Sequence, residues 1–266
     1  HGSNYAEEPG KLFKQSRGHG GVFCSACHGS PHAIQPTSQP NDNVQNIALQ
    51  GFSGILRRCE VCHTVVPNGP GPHGYIPPTL HLTVFLEGLF NGVSMSKARD
   101  DAGNQFPGTV ADQIIVELHN SFTPYTLAAG PFTVDVNTDG TAALTLPASL
   151  GASYYIVVKH RNSVETWNGT PLTIGTGSYN YNFSSSPGQA FGNNLKLISG
   201  KYVIYTGDVN QDGILDSGDM TPVDIQSSNF SSGYLPSDLN GDGIIDSGDM
   251  ALLDNNTTLF VAKIAP

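Results

Sequence analysis

Two short segments near the start of the chain share one cysteine and histidine spacing, which constrains the fold more than any other feature. They are Cys24-Ser25-Ala26-Cys27-His28 and Cys59-Glu60-Val61-Cys62-His63. C-x-x-C-H is the attachment pattern of c-type haem: the two cysteines form thioethers with the porphyrin and the adjacent histidine binds the iron. The predicted attachment residues are Cys24, Cys27, Cys59 and Cys62, and the predicted proximal iron ligands are His28 and His63.

The four cysteines have two possible uses other than haem attachment. A zinc site is disfavoured because 31 residues separate Cys27 from Cys59, more than the 15–20 usual in zinc ribbons. Two disulfides could form in any of three pairings. Neither alternative explains a histidine directly after both motifs, so haem is the favoured interpretation.

Each iron also needs a sixth ligand or an open position, and the first 81 residues supply spare histidines. Because His32 lies four residues after His28, it cannot easily reach the opposite face of the same porphyrin, and we predict that it binds the second haem. His73 or His19 is predicted to bind the first. Met95 is a weak candidate, so bis-histidine iron, which suits electron transfer, is expected. The candidate distal ligands are His1, His19, His32, His73 and His81.

Residues 17–76, which contain both motifs and Gly71-Pro72-His73-Gly74, resemble multihaem c-type cytochromes. The resemblance implies electron transfer through bis-histidine iron. This chain has only two haem motifs, so conduction over long distances would need head-to-tail assembly, as in extracellular cytochrome filaments.

Composition limits the remaining possibilities. Among 266 residues, 13% are charged, 31 are glycine and 18 are proline, which is typical of a chain rich in turns and strands. The formal charge of −10 disfavours nucleic-acid binding, which needs a basic surface. No run of 18 apolar residues is present, so no transmembrane helix is expected. Covalent haem and a start at His1 without methionine predict a processed, secreted protein, extracellular or at the cell surface, with the periplasm left open.

Three domains are predicted: a loop-rich dihaem cytochrome c domain at 1–80, an antiparallel β-sandwich at 81–205, and a small helical calcium-binding module at 206–266. The fold class is therefore mainly β and irregular. In the middle domain, Asp139-Gly140 is a predicted hairpin turn, His119 and His160 are expected to be structural, and Trp167 is a predicted core residue. Seven segments rich in β-branched and aromatic residues are predicted strands: 81–86, 113–118, 132–136, 142–146, 154–160, 179–183 and 201–205.

The last domain contains an internal repeat with a period of 30 residues. Between 208–224 and 238–254, 11 of 17 positions are identical. Each copy has the oxygen-ligand spacing of a twelve-residue EF-hand loop, with glycine at position 6 and a main-chain carbonyl at position 7. Aspartate replaces the usual glutamate at position 12. The predicted calcium ligands are Asp208, Asn210, Asp212, Ile214, Asp216 and Asp219 in the first copy, and Asp238, Asn240, Asp242, Ile244, Asp246 and Asp249 in the second.

With aspartate at position 12 and one helix after each loop, residues 206–256 resemble the dockerin type I module. The resemblance implies two bound Ca²⁺ ions and docking onto a cohesin, and only the calcium ligands carry over residue by residue. Met220 and Met250 are expected to pack inside this module.

The leading functional hypothesis is electron transfer, without enzymatic activity, by an exported dihaem cytochrome carrying two haem c groups and two Ca²⁺ ions. Its expected partners are redox proteins or an extracellular acceptor, and further copies of itself in an oligomer or filament. One alternative is a peroxidase-like dihaem enzyme with an open iron position. Another is a cell-surface adhesion or cohesin-docking module that carries haem.

Overall fold

The structure of the chain is a computed structural model that describes residues 15–17, 21–28, 39–56, 61, 77–147, 150–175 and 177–266. The chain divides into two compact units, His1–Pro77 and Pro78–Pro266. The three domains expected from the sequence, with boundaries at 80/81 and 205/206, stay a prediction.

Polar side chains organise the described part of the first unit. Helix α1 spans Cys24–His28 and helix α2 spans Val44–Gln50. The buried Asn46 amide donates to the carbonyl oxygens of Cys27 (3.1 Å) and Gly54 (2.5 Å). Among the described residues of this unit, every buried side chain is polar, whereas five large apolar side chains are exposed. The exposed apolar residues are Val22, Phe23, Val44, Leu49 and Phe52.

The second unit is mainly β. Among the described residues of this unit, 3-10 helix is present at Glu87–Leu89, Pro187–Gln189 and Phe191–Asn193. The strands are β1 (Thr79–Thr83), β2 (Arg99–Asp100), β3 (Gly103–Asn104), β4 (Val110–Asn120), β5 (Leu127–Asn137), β6 (Thr141–Thr145), β7 (Ser153–His160), β8 (Ser163–Trp167), β9 (Leu172–Thr173), β10 (Ser178–Asn182), β11 (Lys196–Ile198) and β12 (Lys201–Val203).

In the described part of the second unit, eight strands form one hydrogen-bonded sheet in the order β10-β1-β6-β5-β4-β7-β8, with β9 paired to β7. All its pairs are antiparallel except β1 with β10, which run parallel in the register Leu80 to Tyr179. The mainly β class is therefore confirmed. The continuous curled sheet is compatible with the predicted sandwich, although its one parallel pair departs from a fully antiparallel arrangement.

The main core lies on one face of this sheet because apolar residues alternate along the strands. Leu80 and Leu82 of β1 are buried, and His81 between them is exposed. β7 is buried on both faces: Ile156 faces the main core, and Val157 packs in a second cluster with Tyr155 and Trp167. The expected burial of Trp167 is confirmed.

The predicted turn at Asp139-Gly140 joins β5 to β6. Gly140 has φ 84°, and Asp139 Oδ1 accepts a hydrogen bond from Thr141 N at 2.9 Å. A Cβ atom at Gly140 would lie 2.7 Å from the Phe85 ring, so glycine is needed both for the backbone conformation and for space.

Two helices follow the sheet, α3 at Ser217–Ser228 and α4 at Ser247–Thr257. They pack against each other around a small apolar cluster that contains Val223, Leu239, Ile245 and Leu253. Met220 and Met250 contact this cluster, as predicted. Within the described residues, no helix combines the length and apolar character needed to cross a membrane.

A buried polar network joins α4 to the β part of the unit. The Glu87 carboxylate accepts hydrogen bonds from Lys196 Nζ, Thr206 N and Asn256 Nδ2, and Asn256 Nδ2 also donates to Thr206 O at 2.8 Å. Because Glu87 is only 4% exposed, removing any of these donors would leave a buried charge short of partners.

Candidate functional site

The two repeated segments fold as two nearly identical loops, the first loop at Asp208–Asp219 and the second loop at Asp238–Asp249. In the first loop, Asn210 Oδ1 accepts from Asp212 N at 2.8 Å, and Asp212 Oδ1 accepts from Ile214 N at 2.9 Å. The second loop has the same two bonds at the same distances. Such side chain to main chain bonds curl the backbone, so oxygen-bearing groups at positions 1, 3, 5 and 7 lie along one turn of chain.

Aspartate at position 12 reaches back across each loop. Asp219 Oδ1 accepts from Val209 N (2.8 Å) and Asn210 N (3.1 Å), and its Oδ2 accepts from Asp216 N (3.1 Å). Asp249 makes the corresponding three bonds in the second loop. Both carboxylates are fully buried. Burial raises the pKa of each, although these main-chain donors act in the opposite direction.

Position 9 of each loop begins the following helix. Asp216 caps α3 by accepting from Gly218 N at 2.6 Å, and Asp219 completes a capping box. Asp246 and Asp249 do the same for α4. Each helix is thus positioned by the carboxylates of its own loop, which links loop geometry to helix packing.

The aspartates at position 1 provide the most direct evidence of fit to a cation. Asp208 is 2% exposed and Asp238 is 0% exposed. Neither Asp208 Oδ1 nor Asp238 Oδ1 has a hydrogen-bond partner among the described residues. A buried carboxylate oxygen without a partner is costly, and a cation would relieve the cost.

Burial also sets the protonation of these two aspartates. It raises the pKa of Asp208 to about 6, with Asp219 and Asp212 adding to the rise against a hydrogen bond from the Gly213 main chain. Burial raises the pKa of Asp238 to about 6 as well, although Arg161 lowers it. Residues 206–266 contain ten aspartates and one lysine, so the acidic surroundings favour a cation.

No three His, Cys, Asp or Glu side chains converge closely enough to hold a metal ion in the part of the chain that the structure describes. EF-hand loops, however, take ligands from an amide and a main-chain carbonyl as well as from carboxylates. Asn210 and the Ile214 carbonyl supply these in the first loop, and Asn240 and the Ile244 carbonyl in the second. The donor set therefore fits a hard cation such as Ca²⁺.

A buried polar cluster that the sequence did not reveal lies beside the second loop. Asp112 Oδ2 is 3.1 Å from His160 Nε2, and His160 Nδ1 is 2.9 Å from Ser163 Oγ. Burial alone would raise the pKa of Asp112, but His160 and Arg161 outweigh it and hold the pKa at about 2. The three residues have the order of a catalytic triad, yet Ser163 is 1% exposed, so a substrate cannot reach its hydroxyl. The cluster is structural, which agrees with the role expected for His160.

The first haem motif lies on one turn of helix. Cys24 and Cys27 occupy the first and fourth positions of α1, and both are half-buried. Leu56 N donates to Cys27 O at 2.8 Å, so α1 is held to the segment after α2. Cysteines three residues apart on a helix lie on the same face, as attachment to one porphyrin requires.

Most of the other predicted haem ligands lie outside the described residues: Cys59, Cys62, His1, His19, His32, His63 and His73. His81 is exposed in the middle of β1. Met95 is buried in the β core, where its sulfur accepts a hydrogen bond from Leu86 N at 3.3 Å, so it has a structural role instead.

No family model and no curated protein matches the chain. Among solved structures, similar chains occur in two interface mutants of a type II cohesin–X–dockerin complex from Acetivibrio cellulolyticus. The C-terminal interface mutant is 13% identical, with a TM-score of 0.39, and the match covers 70% of this chain and 97% of that chain. The N-terminal interface mutant is 12% identical, with a TM-score of 0.37 and the same coverage. Likenesses of this size carry no argument about function.

The identification of this chain as a multihaem c-type cytochrome with a dockerin type I-like repeat is corrected by these comparisons. The similar structures come from cohesin–X–dockerin complexes, and neither of the two is a cytochrome. No family model matches the chain either, so no family membership supports cytochrome, haem or electron transport, and the helical dockerin-like module is not confirmed. The physical reason is that both resemblances rest on short motifs, which set local ligand spacing but do not determine the fold around them. The two haems and two Ca²⁺ ions stay predictions from residue chemistry.

Proposed function

We propose that the second unit binds two Ca²⁺ ions, one in each loop, and that the ions fix the last two helices against the sheet. The single observation that carries this proposal is the pair of buried, unpartnered oxygens, Asp208 Oδ1 and Asp238 Oδ1. In the first loop the ligands would be Asp208, Asn210, Asp212, the Ile214 carbonyl, Asp216 and Asp219. In the second loop they would be Asp238, Asn240, Asp242, the Ile244 carbonyl, Asp246 and Asp249.

A bound divalent cation would offset the mutual repulsion of the four carboxylates in each loop. Because Asp216 and Asp246 also cap the two helices, a cation that orders the loops would also stabilise the first turns of α3 and α4. The main contribution of Ca²⁺ is therefore structural, and binding free energy becomes folding free energy.

Isothermal titration calorimetry on the chelator-treated full chain tests the calcium proposal. The expected result is two Ca²⁺ per chain, and one per chain in each of the variants Asp208→Asn and Asp238→Asn. Asp254→Asn, an exposed aspartate of α4 outside both loops, is the matched control and keeps two sites. Absence of binding heat in the folded wild-type chain would overturn the proposal.

We also propose that the first unit attaches haem covalently at its two C-x-x-C-H motifs and transfers electrons. Support comes from the shared helical face of Cys24 and Cys27, and from a unit whose described residues bury polar groups and expose apolar ones. A large apolar cofactor would cover such exposed side chains. The proposed proximal ligands are His28 and His63, and the distal candidates are His19, His32 and His73.

Intact mass and an absorption spectrum test this second proposal, using protein exported by a host that matures c-type haem. Two covalent haems and a six-coordinate low-spin spectrum are expected. A colourless chain with the bare polypeptide mass would refute haem attachment. High-spin bands that shift with added ligands would instead favour the peroxidase-like redox enzyme.

Covalent haem attachment takes place outside the cytoplasm, so the haem proposal carries with it an exported protein. The predicted partners stay predictions: redox proteins, an extracellular acceptor, a cohesin and further copies of this chain. Light scattering with calcium present tests whether the chain assembles with copies of itself. Large assemblies support a filament, and monomers alone contradict it.

A further inference from the structure

Although the two loops are nearly identical in sequence, the structure surrounds them differently. We infer that they are unequal calcium sites, with Arg161 as a positioning residue that belongs to the β part of the unit and serves the second loop only. This inference rests on the calcium function proposed above and deepens it.

The main chain that enters the second loop is held by side chains that follow β7. Arg161 donates through its guanidinium to the carbonyl oxygens of Leu235 and Asp238, the latter at 2.8 Å. Asn162 Nδ2 donates to the same Asp238 carbonyl at 2.9 Å. Position 1 of the second loop is therefore fixed by residues more than 70 positions away in the chain.

The first loop holds the corresponding carbonyl by itself. Gln211, at position 4 of that loop, donates through its side-chain amide to Asp208 O. The same amide lies 3.5 Å from Ser163 O, and Gly207 N, just before the loop, donates to Asn162 O at 2.7 Å. The first loop thus also touches the β part, but no cationic side chain from there reaches its position 1 within the described residues.

Position 4 explains why the two loops differ. The second loop has Gly241 there, and a Cβ atom would lie 2.2 Å from Leu89 Cδ2. Gly241 O also accepts from Arg99 N at 3.0 Å. Glycine thus lets the β part approach closely and replace the internal support that Gln211 gives to the first loop.

The positive charge of Arg161 does not make it simply a competitor of Ca²⁺. Its Nε lies 3.4 Å from Asp112 Oδ2, whereas its Nη2 lies 3.8 Å from Asp238 Oδ2. Asp112 is fully buried and also bonded to His160 and Tyr234, so it offsets much of the guanidinium charge. The remaining effect of Arg161 is to hold two carbonyl oxygens in place before the cation binds, which lowers the cost of ordering the loop.

The inference predicts that Ca²⁺ binds the second loop more tightly than the first, and that Arg161 affects that site alone. The test uses two single-site proteins, Asp208→Asn with only the second loop intact and Asp238→Asn with only the first. Arg161→Met is added to each, and Ca²⁺ affinity is measured by calorimetry on the full chain. We expect a loss of about tenfold or more in the Asp208→Asn protein, as for other residues that orient metal ligands, and less than twofold in the Asp238→Asn protein.

Two further variants guard against a general loss of folding. Gln211→Ala, which removes the side-chain amide but keeps a Cβ atom at this positive φ, should weaken only the first loop. Arg161→Lys, which keeps the charge but cannot bridge both carbonyls, should give an intermediate loss in the second. Circular dichroism in chelator confirms that each protein is folded. Equal losses in both single-site proteins, or no loss in either, would overturn the role of Arg161. Failure of the folded wild-type chain to bind any Ca²⁺ would instead refute the underlying calcium proposal.

Discussion

The two buried aspartates at position 1 predict that calcium reverses the pH dependence of stability. Asp208 and Asp238 have a pKa of about 6 in the folded chain, against 3.8 for an ordinary aspartate. A carboxyl group whose pKa is raised by folding adds stability that is fully present below the unfolded pKa and is lost as pH rises through the folded pKa. The calcium-free chain should therefore become less stable between pH 5 and pH 7.5.

The magnitude follows from these two values of the pKa. Integrating the difference in bound protons from pH 7.5 to pH 5 gives somewhat more than 1 kcal/mol for each aspartate, or about 3 kcal/mol for both. With excess Ca²⁺ the sign changes because the cation needs the deprotonated carboxylates, so stability rises with pH. A calcium concentration 1,000 times the dissociation constant adds about 4 kcal/mol per site.

Urea unfolding at a series of pH values, with chelator and with calcium, measures both trends. In chelator, the double variant Asp208→Asn/Asp238→Asn should lose most of the fall in stability with pH, and a smaller fall should remain because burial also raises the pKa of Asp219 and Asp249. The double variant should lose the calcium effect as well, whereas Asp254→Asn should keep both trends. Comparing the variants removes the pH-dependent contributions that all of them share. A calcium-free wild-type chain whose stability increases from pH 5 to pH 7.5 by the same amount as the double variant would refute the reasoning.

Three other results are expected. Gly88→Val should destabilise the second unit by about 3 kcal/mol or more, since a Cβ atom there would lie only 1.8 Å from Leu239 O. Thermal melting measures the loss of stability, and an unchanged melting temperature would contradict the close contact. Phe260→Ser should change stability by less than about 0.5 kcal/mol, because Phe260 is 91% exposed. A larger change in the same melting assay would contradict this prediction. Replacing Cys24 and Cys27 together by serine should remove one covalent haem by intact mass, and retention of both would rule out attachment at α1.

Local patterns in the sequence predicted the strands and the loops well. β1 and β6 alternate buried and exposed residues, and the Asp139-Gly140 turn has the residues that its backbone requires. β8 at Ser163–Trp167 was missed because it is short and contains Glu165 in place of a clear apolar alternation. The two loops were found because their ligand spacing lies within twelve residues.

Contacts between distant parts of the chain could not be predicted in this way. The parallel pairing of β1 with β10 joins segments about 100 residues apart, and nothing in either strand specifies the other. Arg161 and Asp238 are separated by 77 positions, and Glu87 and Asn256 by 169, so each reads as an ordinary polar residue in its own segment. A sequence pattern reports the secondary structure in which a residue lies, whereas a buried polar partnership depends on the tertiary fold.

Native mass spectrometry of the exported full chain, before and after chelation, tests the central claim most directly. Two calcium ions released per chain by the chelator, with the covalent mass unchanged, is the predicted result. A folded chain whose mass is the same before and after chelation would show that the two loops hold no ion, and it would contradict the account.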